Sequence, residues 1–218
     1  GYPDFTVARM RELIARIKEK GGFYVFPHPT QITKSDDPLD YWFADETGFE
    51  VFYYTMTHPE TEANYKLWCT LLDMGKRLWA CSGEDAHMAP STNALTVIYA
   101  EEQKNASYLS HLRCGDFICG SVGIRMCIGD ILMGGKGSFD GNRLVVSVKD
   151  FHNSVVKEGH KYSLVLLNDK GVVAKEEIFT DRENVFAIDT DDCRFYRAEV
   201  IDETENLRIA IGNPIWNA

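Results

Sequence analysis

In Leu78-Trp79-Ala80-Cys81-Ser82-Gly83-Glu84-Asp85-Ala86-His87 an apolar run ends abruptly in a turn. Leu78 to Cys81 reads as a short buried strand, and Ser82-Gly83 breaks it, so that Asp85 and His87 stand at its C-terminal end. In extended or turn geometry two residues spaced by one project to the same side. A carboxylate beside a neutral imidazole is a donor pair suited to zinc, manganese or iron. Chance supplies Asp-x-His as well, since an exposed turn in an acidic chain with six histidines is a natural place for it.

Working outward, Val7, Met10, Leu13, Ile14 and Ile17 recur at helical spacing, with Asp4 or Thr6 as cap and Gly21-Gly22 as stop. Phe23 to Phe26 follows as a strand, ended by Pro27-His28-Pro29 because neither proline can extend a central strand. Thr30 to Asp40 is polar and reads as a loop. Phe49 to Tyr54 is a second strand interrupted by Glu50. If that carboxylate is buried it must be paired, hydrogen-bonded or neutral; alternatively it faces solvent on a polar outer face. Pro59 to Met74 is helical, with His58 at its start, and after the Leu78 strand come a loop over 88–93, a strand over 95–99 and a helix over 106–113. Strands alternating with helices imply a parallel layer covered by helices.

Beyond Gly115 the pattern becomes short β-rich runs separated by turns, among them 117–119, 124–128, 144–148, 162–167, 172–179, 185–188, 195–201 and 207–211. Asn168-Asp169-Lys170-Gly171 is a hairpin signal, and strands at this spacing without helices suggest a β-sandwich. The expected class is therefore α/β plus all-β, with one part over 1–115 and a sandwich over 116–218. Gly134-Gly135-Lys136-Gly137 lacks the spacing of a phosphate loop and reads as a hairpin loop.

With 33 acidic and 23 basic residues the chain carries a formal charge of -10, which opposes capture by nucleic acid or an anionic membrane surface. The six cysteines include no Cys-x-x-Cys, and several fall in apolar runs, as reduced buried thiols do. Without a signal-peptide pattern at Gly1-Tyr2-Pro3-Asp4, a cytoplasmic protein is expected. His111, His152 and His160 stand apart from any acid cluster at ligand spacing and read as surface or capping residues, as does His58.

His28 after a strand, Glu50 within Gly48-Phe49-Glu50-Val51, Asp85-x-His87, and the ending Gly212-Asn213-Pro214-Ile215-Trp216 together resemble the C-terminal half of the PHP (polymerase and histidinol phosphatase) metallohydrolases, in the branch with an appended β domain. The resemblance implies part of a (β/α) barrel over 1–115, with divalent metal at the strand ends. His28, Asp85 and His87 are implied as metal ligands and Glu50 as a residue orienting a ligand. Glu84 stands where the family commonly has serine.

The family's opening His-x-His is missing, and the chain starts on a helix, as though a barrel had been entered halfway. The implied function is part of a metal-dependent hydrolase acting on a small-molecule ester through metal-activated water. Little activity is expected of this chain alone, and a missing N-terminal half is the expected partner. The alternative is a non-catalytic binding or interaction module with a decayed metal site, for which Tyr41-Trp42-Phe43 and Tyr53-Tyr54 would supply a ligand surface, unless these aromatics simply pack the core.

Overall fold

The computed structural model describes residues 6–32, 42–85 and 94–218. It is mixed α and β and dominated by strands. The chain opens on helix α1 (Val7–Glu19), capped by Thr6, whose hydroxyl accepts from Arg9 N at 3.3 Å. Val7, Met10 and Ile14 are buried, whereas Leu13 is exposed. Strand β1 (Val25–Phe26), the single turn α2 (Pro29–Ile32), strand β2 (Thr47–Tyr53), helix α3 (Pro59–Asp73) and strand β3 (Leu78–Gly83) follow. The three strands pair in parallel in the order β1-β2-β3. Every residue of β2 but Tyr53 is buried, as expected for a parallel strand covered on both faces. Gly48 makes the tight packing possible: a Cβ there would lie 2.7 Å from Val25 Cγ2 and 2.8 Å from Cys81 Sγ.

Strand β4 (Thr96–Ile98) departs from the helix–strand alternation. It pairs antiparallel with β5 (Phe117–Gly120) instead of extending the parallel layer. A three-residue strand is too short for its own pattern to decide its partner. Helix α4 (Asn105–Cys114) lies between these two strands and ends at Gly115, with φ +81°. The strand after it therefore returns to β4, and the sheet boundary does not coincide with the expected boundary at 115/116.

The remaining strands are β6 (Val122–Ile128), β7 (Ile131–Leu132), β8 (Lys136–Gly137), β9 (Arg143–Phe151), β10 (Tyr162–Asn168), β11 (Gly171–Ile178), β12 (Asn184–Asp189), β13 (Phe195–Asp202) and β14 (Leu207–Asn217). One sheet runs β11-β10-β13-β14-β5-β4, with β8 also on β14, and the other runs β12-β9-β6-β7. The two sheets meet where Gly212 of β14 faces Ile124 and Met126 of β6; a Cβ on Gly212 would touch both at 3.3 Å. The hairpin at Asn168–Gly171 forms as its sequence suggests, with Asn168 Oδ1 accepting from Lys170 N at 2.7 Å. The Gly134–Gly137 segment is not a hairpin loop. Lys136 and Gly137 pair in parallel with Trp216 and Asn217, and Gly134 is glycine because a Cβ would fall 1.9 Å from the Cys114 carbonyl oxygen.

Two polar devices join the parallel layer to the β part. At the free edge of β3, Ala80 N donates to Asn213 Oδ1 at 2.7 Å and Ser82 N to Thr96 Oγ1 at 3.0 Å. The Asn213 amide in turn donates to the carbonyls of Gly115 and Phe117 at 3.3 and 3.0 Å. Pro214 beside it is tolerated inside β14 because the pairing with β13 is irregular between Tyr196 and Ala198 and the pairing with β5 ends at Gly212. The second device is a buried carboxylate, Glu199. It accepts from Tyr65 of α3 at 2.6 Å, from Arg208 Nε at 2.8 Å and from Arg197. Burial alone would raise its pKa, but the two guanidinium groups hold it below the usual value.

Asn213→Ala is expected to lower unfolding stability by about 2–3 kcal/mol, since it strands a buried N–H and two carbonyls. Glu199→Ala is expected to cost about 3–5 kcal/mol by leaving two guanidinium groups without their counter-charge. Denaturant titration of the purified variants checks both, and unchanged midpoints would show that neither device joins the layers.

Candidate functional site

The C-terminal ends of the three parallel strands converge on one rim. Each is followed within two residues by a non-glycine residue in left-handed backbone: His28 at φ +47°, Tyr54 at +60° and Asp85 at +46°. Such conformations cost about 1–2 kcal/mol each and persist where the surroundings fix them.

The register Phe26↔Phe49 carries the chain beyond β1 over the side chain of Glu50. His28 N donates to Glu50 Oε2 at 2.7 Å. The His28 ring presents Nδ1 to the same oxygen at 3.1 Å, off the line of a hydrogen bond, and Nε2 to Asp85 Oδ1 at 3.9 Å. The imidazole thus spans two carboxylates, one buried and one at the rim. Glu50 is 5% exposed, which decides between the two sequence readings in favour of burial. Relative to Cys81–Ser82, β2 carries one extra residue between Glu50 and Phe52, a bulge of the kind that re-aims side chains beside sites. Room for the carboxylate comes from Gly83, where a Cβ would lie 1.9 Å from Glu50 Oε1.

Burial raises the Glu50 pKa. The His28 N–H and ring oppose that rise, and the nearby Asp85 and Glu60 carboxylates reinforce it. Asp85 is steadied by Tyr53, whose hydroxyl donates to Asp85 Oδ2 at 3.0 Å. The Tyr53 ring stands edge-on to His28 and His58, with centroids 4.8 and 5.0 Å apart. The sequence offered Tyr53 only as part of an aromatic ligand surface or as core packing; the structure places it on this rim, at the last step of β2, where it holds Asp85. His58 caps α3 as expected, its Nδ1 accepting from Glu60 N at 3.3 Å. His87 lies outside the described residues, as do most of the 30–40 and all of the 88–93 loops.

The donor set fits a divalent cation in type. Nε2 is the ring nitrogen left open when Nδ1 faces Glu50, the arrangement found where a carboxylate orients a metal-binding histidine. Two ligands at about 2.1 Å from a tetrahedral ion stand about 3.4 Å apart. The 3.9 Å between His28 Nε2 and Asp85 Oδ1 is therefore wide by only a small side-chain movement.

Two histidines read from sequence as isolated are not. His160 Nδ1 lies 2.8 Å from Asp202 Oδ2, and with Glu205 these residues bring one ligand atom each within 4.8 Å of one another. There, however, Lys157 occupies Glu205 at 2.5 Å, and backbone N–H groups occupy Asp202 Oδ1. His111 sits between Asp116 and Glu101, at 2.9 and 3.3 Å. Burial would lower its pKa, but the two carboxylates prevail and raise it. Sequence separation hid His160's partners, which come from the end of β13 and the turn that follows it.

No model of a known protein family matches the chain, and no curated protein matches it. Among the described residues no helix is long and apolar enough to cross a membrane.

Because folding raises the Glu50 pKa, the folded state holds that proton more tightly than the unfolded chain. Its contribution to stability is full below the ordinary value of 4.5 and declines as pH rises through the raised value. Glu50→Gln, which keeps an acceptor for His28 N, is expected to be more stable than the parent at pH 8 and to lose that advantage at pH 4. Thermal melts across pH check this, and parallel pH profiles for the two proteins would contradict it.

Proposed function

We propose that this chain carries part of a divalent-metal hydrolase site of the PHP type, with His28 and Asp85 as ligands and Glu50 holding His28 in place. The observation that supports the reading is the convergence of these three groups, from three different parallel strands, over one C-terminal rim, where enzymes built on parallel strands and helices place their chemistry. His87, two residues beyond Asp85, is proposed as a further ligand on the strength of the Asp-x-His spacing alone.

The chain's own residues do the positioning. Glu50 takes the His28 backbone N–H and fixes the loop after β1, which brings the ring within reach of Asp85. The Tyr53 hydroxyl holds one Asp85 oxygen and leaves the other turned toward His28. When bound, a divalent ion such as zinc, manganese or iron supplies a Lewis acid for a phosphoryl or acyl oxygen and lowers the pKa of a coordinated water. The proposed substrate class is a small-molecule phosphate ester. His28, Asp85 and His87 make too few ligands for a bridged site of two or three metals, so this chain by itself is proposed to turn over such esters little or not at all.

Calorimetric titration of the chelator-treated protein with zinc or manganese tests the assignment. His28→Ala and Asp85→Asn are expected to weaken binding by more than about tenfold, and Glu50→Gln by about tenfold, as loss of an orienting partner does. His160→Ala is the control for the second cluster and is expected to leave the isotherm unchanged. Wild-type affinity in both His28→Ala and Asp85→Asn would remove the reading. Efficient metal-dependent hydrolysis of p-nitrophenyl phosphate by the isolated chain would instead show that the ligands have been undercounted.

A further inference from the structure

A cavity of about 520 Å³ lies between the N-terminal end of β3 and the C-terminal end of β14. Six residues of β3 separate it from the rim that carries His28, which is roughly 17 Å of strand. The cavity is cationic within an acidic chain. Arg77, Lys136, Lys170 and Arg194 line it, against the side chains of Asp169 and Asp192. Asp169 is already taken by Arg194, through Nε at 2.9 Å and the backbone N–H at 2.8 Å. Lys170 rests on the Asp192 carbonyl. Lys136 makes no ion pair among the described residues.

Arg77 is held at the cavity by Glu46 at 2.8 Å and the Gly134 carbonyl at 3.4 Å. Cations fixed around one concavity are the elements of oxyanion recognition.

We infer that this cavity binds a small oxyanion, a phosphate or carboxylate group, through Lys136, Lys170 and the guanidinium of Arg77. The site is separate from the His28 rim and needs no metal.

The test is titration of the full chain with inorganic phosphate, in the presence of a chelator and at constant ionic strength balanced with chloride, read by tryptophan fluorescence and by thermal shift. A parallel series with acetate distinguishes a carboxylate from a phosphate site. A saturable response is expected, lost from the fluorescence channel but not from the thermal shift in Trp216→Phe. Lys136→Glu, at an exposed position, is expected to weaken binding at least about tenfold. Lys170→Gln provides a second exposed variant with a smaller expected loss, and His28→Ala should bind as the parent does. A linear response matched by chloride, or equal affinity in Lys136→Glu, would overturn the site. A response abolished by His28→Ala would assign the anion to the rim instead and would equally overturn it.

Discussion

The arrangement depends on how the outer edge of β3 is closed. A parallel strand with no neighbour on one side presents N–H groups that must find acceptors, and a three-stranded sheet has two such edges. In β3 the N–H groups of Ala80 and Ser82 point the same way, two residues apart, and side chains rather than a fourth strand meet them: Asn213 from β14 and Thr96 from β4. The Ser82 hydroxyl adds a bond to the Leu95 carbonyl at 2.6 Å. Side-chain acceptors leave the two sheets free to keep different twists and strand directions while remaining in contact. The asparagine is suited to this because its amide donates to Gly115 and Phe117 as its oxygen accepts. The Asn-Pro-Ile-Trp ending thus has a structural reason that belongs to the sheet junction and is independent of any metal.

That junction bears on the rim at the other end of the strand. Asp85 follows β3 directly, so the edge that Asn213 and Thr96 fix also fixes where Asp85 emerges. Thr61 does the same for β2: its hydroxyl meets Tyr53 N at 3.1 Å and the Thr55 carbonyl at 2.8 Å, holding Tyr53 beside Asp85. Left-handed backbone at His28, Tyr54 and Asp85 is then explained as geometry imposed by firmly held strands on the residues that leave them.

How much of this was legible follows from the range of each interaction. Helices α1, α3 and α4 were readable because capping and periodicity are local; Thr6, His58 and Gly115 act within a turn of where they stand. Burial of Glu50 was not, because a six-residue apolar run offers no period to say which face a residue takes, and the deciding contact is with a strand end 22 residues away. Strand β4 was recognised as a strand but its partner was not, since the choice rests on Cys119 and Ile118 in a segment beyond an intervening helix. The Gly134–Gly137 stretch resembled a loop because glycines between β runs usually are turns; here Gly134 serves close backbone approach to Gly115, and Lys136 and Gly137 pair with Trp216 and Asn217, eighty residues on. His28 and Asp85 were legible as strand-end residues, whereas Tyr53 was hidden among aromatics that mostly fill the core.

The two buried glutamates are compensated to very different extents. Glu199 receives two guanidinium groups and a phenol, its ionised form is fully compensated, and its pKa is lowered. A network of that kind fixes α3 against the β sheet and leaves nothing to exchange with a ligand. Glu50 is buried to nearly the same degree but receives one backbone N–H and a poorly aligned imidazole, with two further carboxylates nearby, and its pKa is raised. Were its role only to join elements, an arginine or a second donor would serve stability better, as Glu199 demonstrates within the same chain. Incomplete compensation of a buried acid at a strand-end rim, beside strained backbone and an imidazole nitrogen turned toward a second acid, is the contrast with Glu199 on which the proposed metal reading rests.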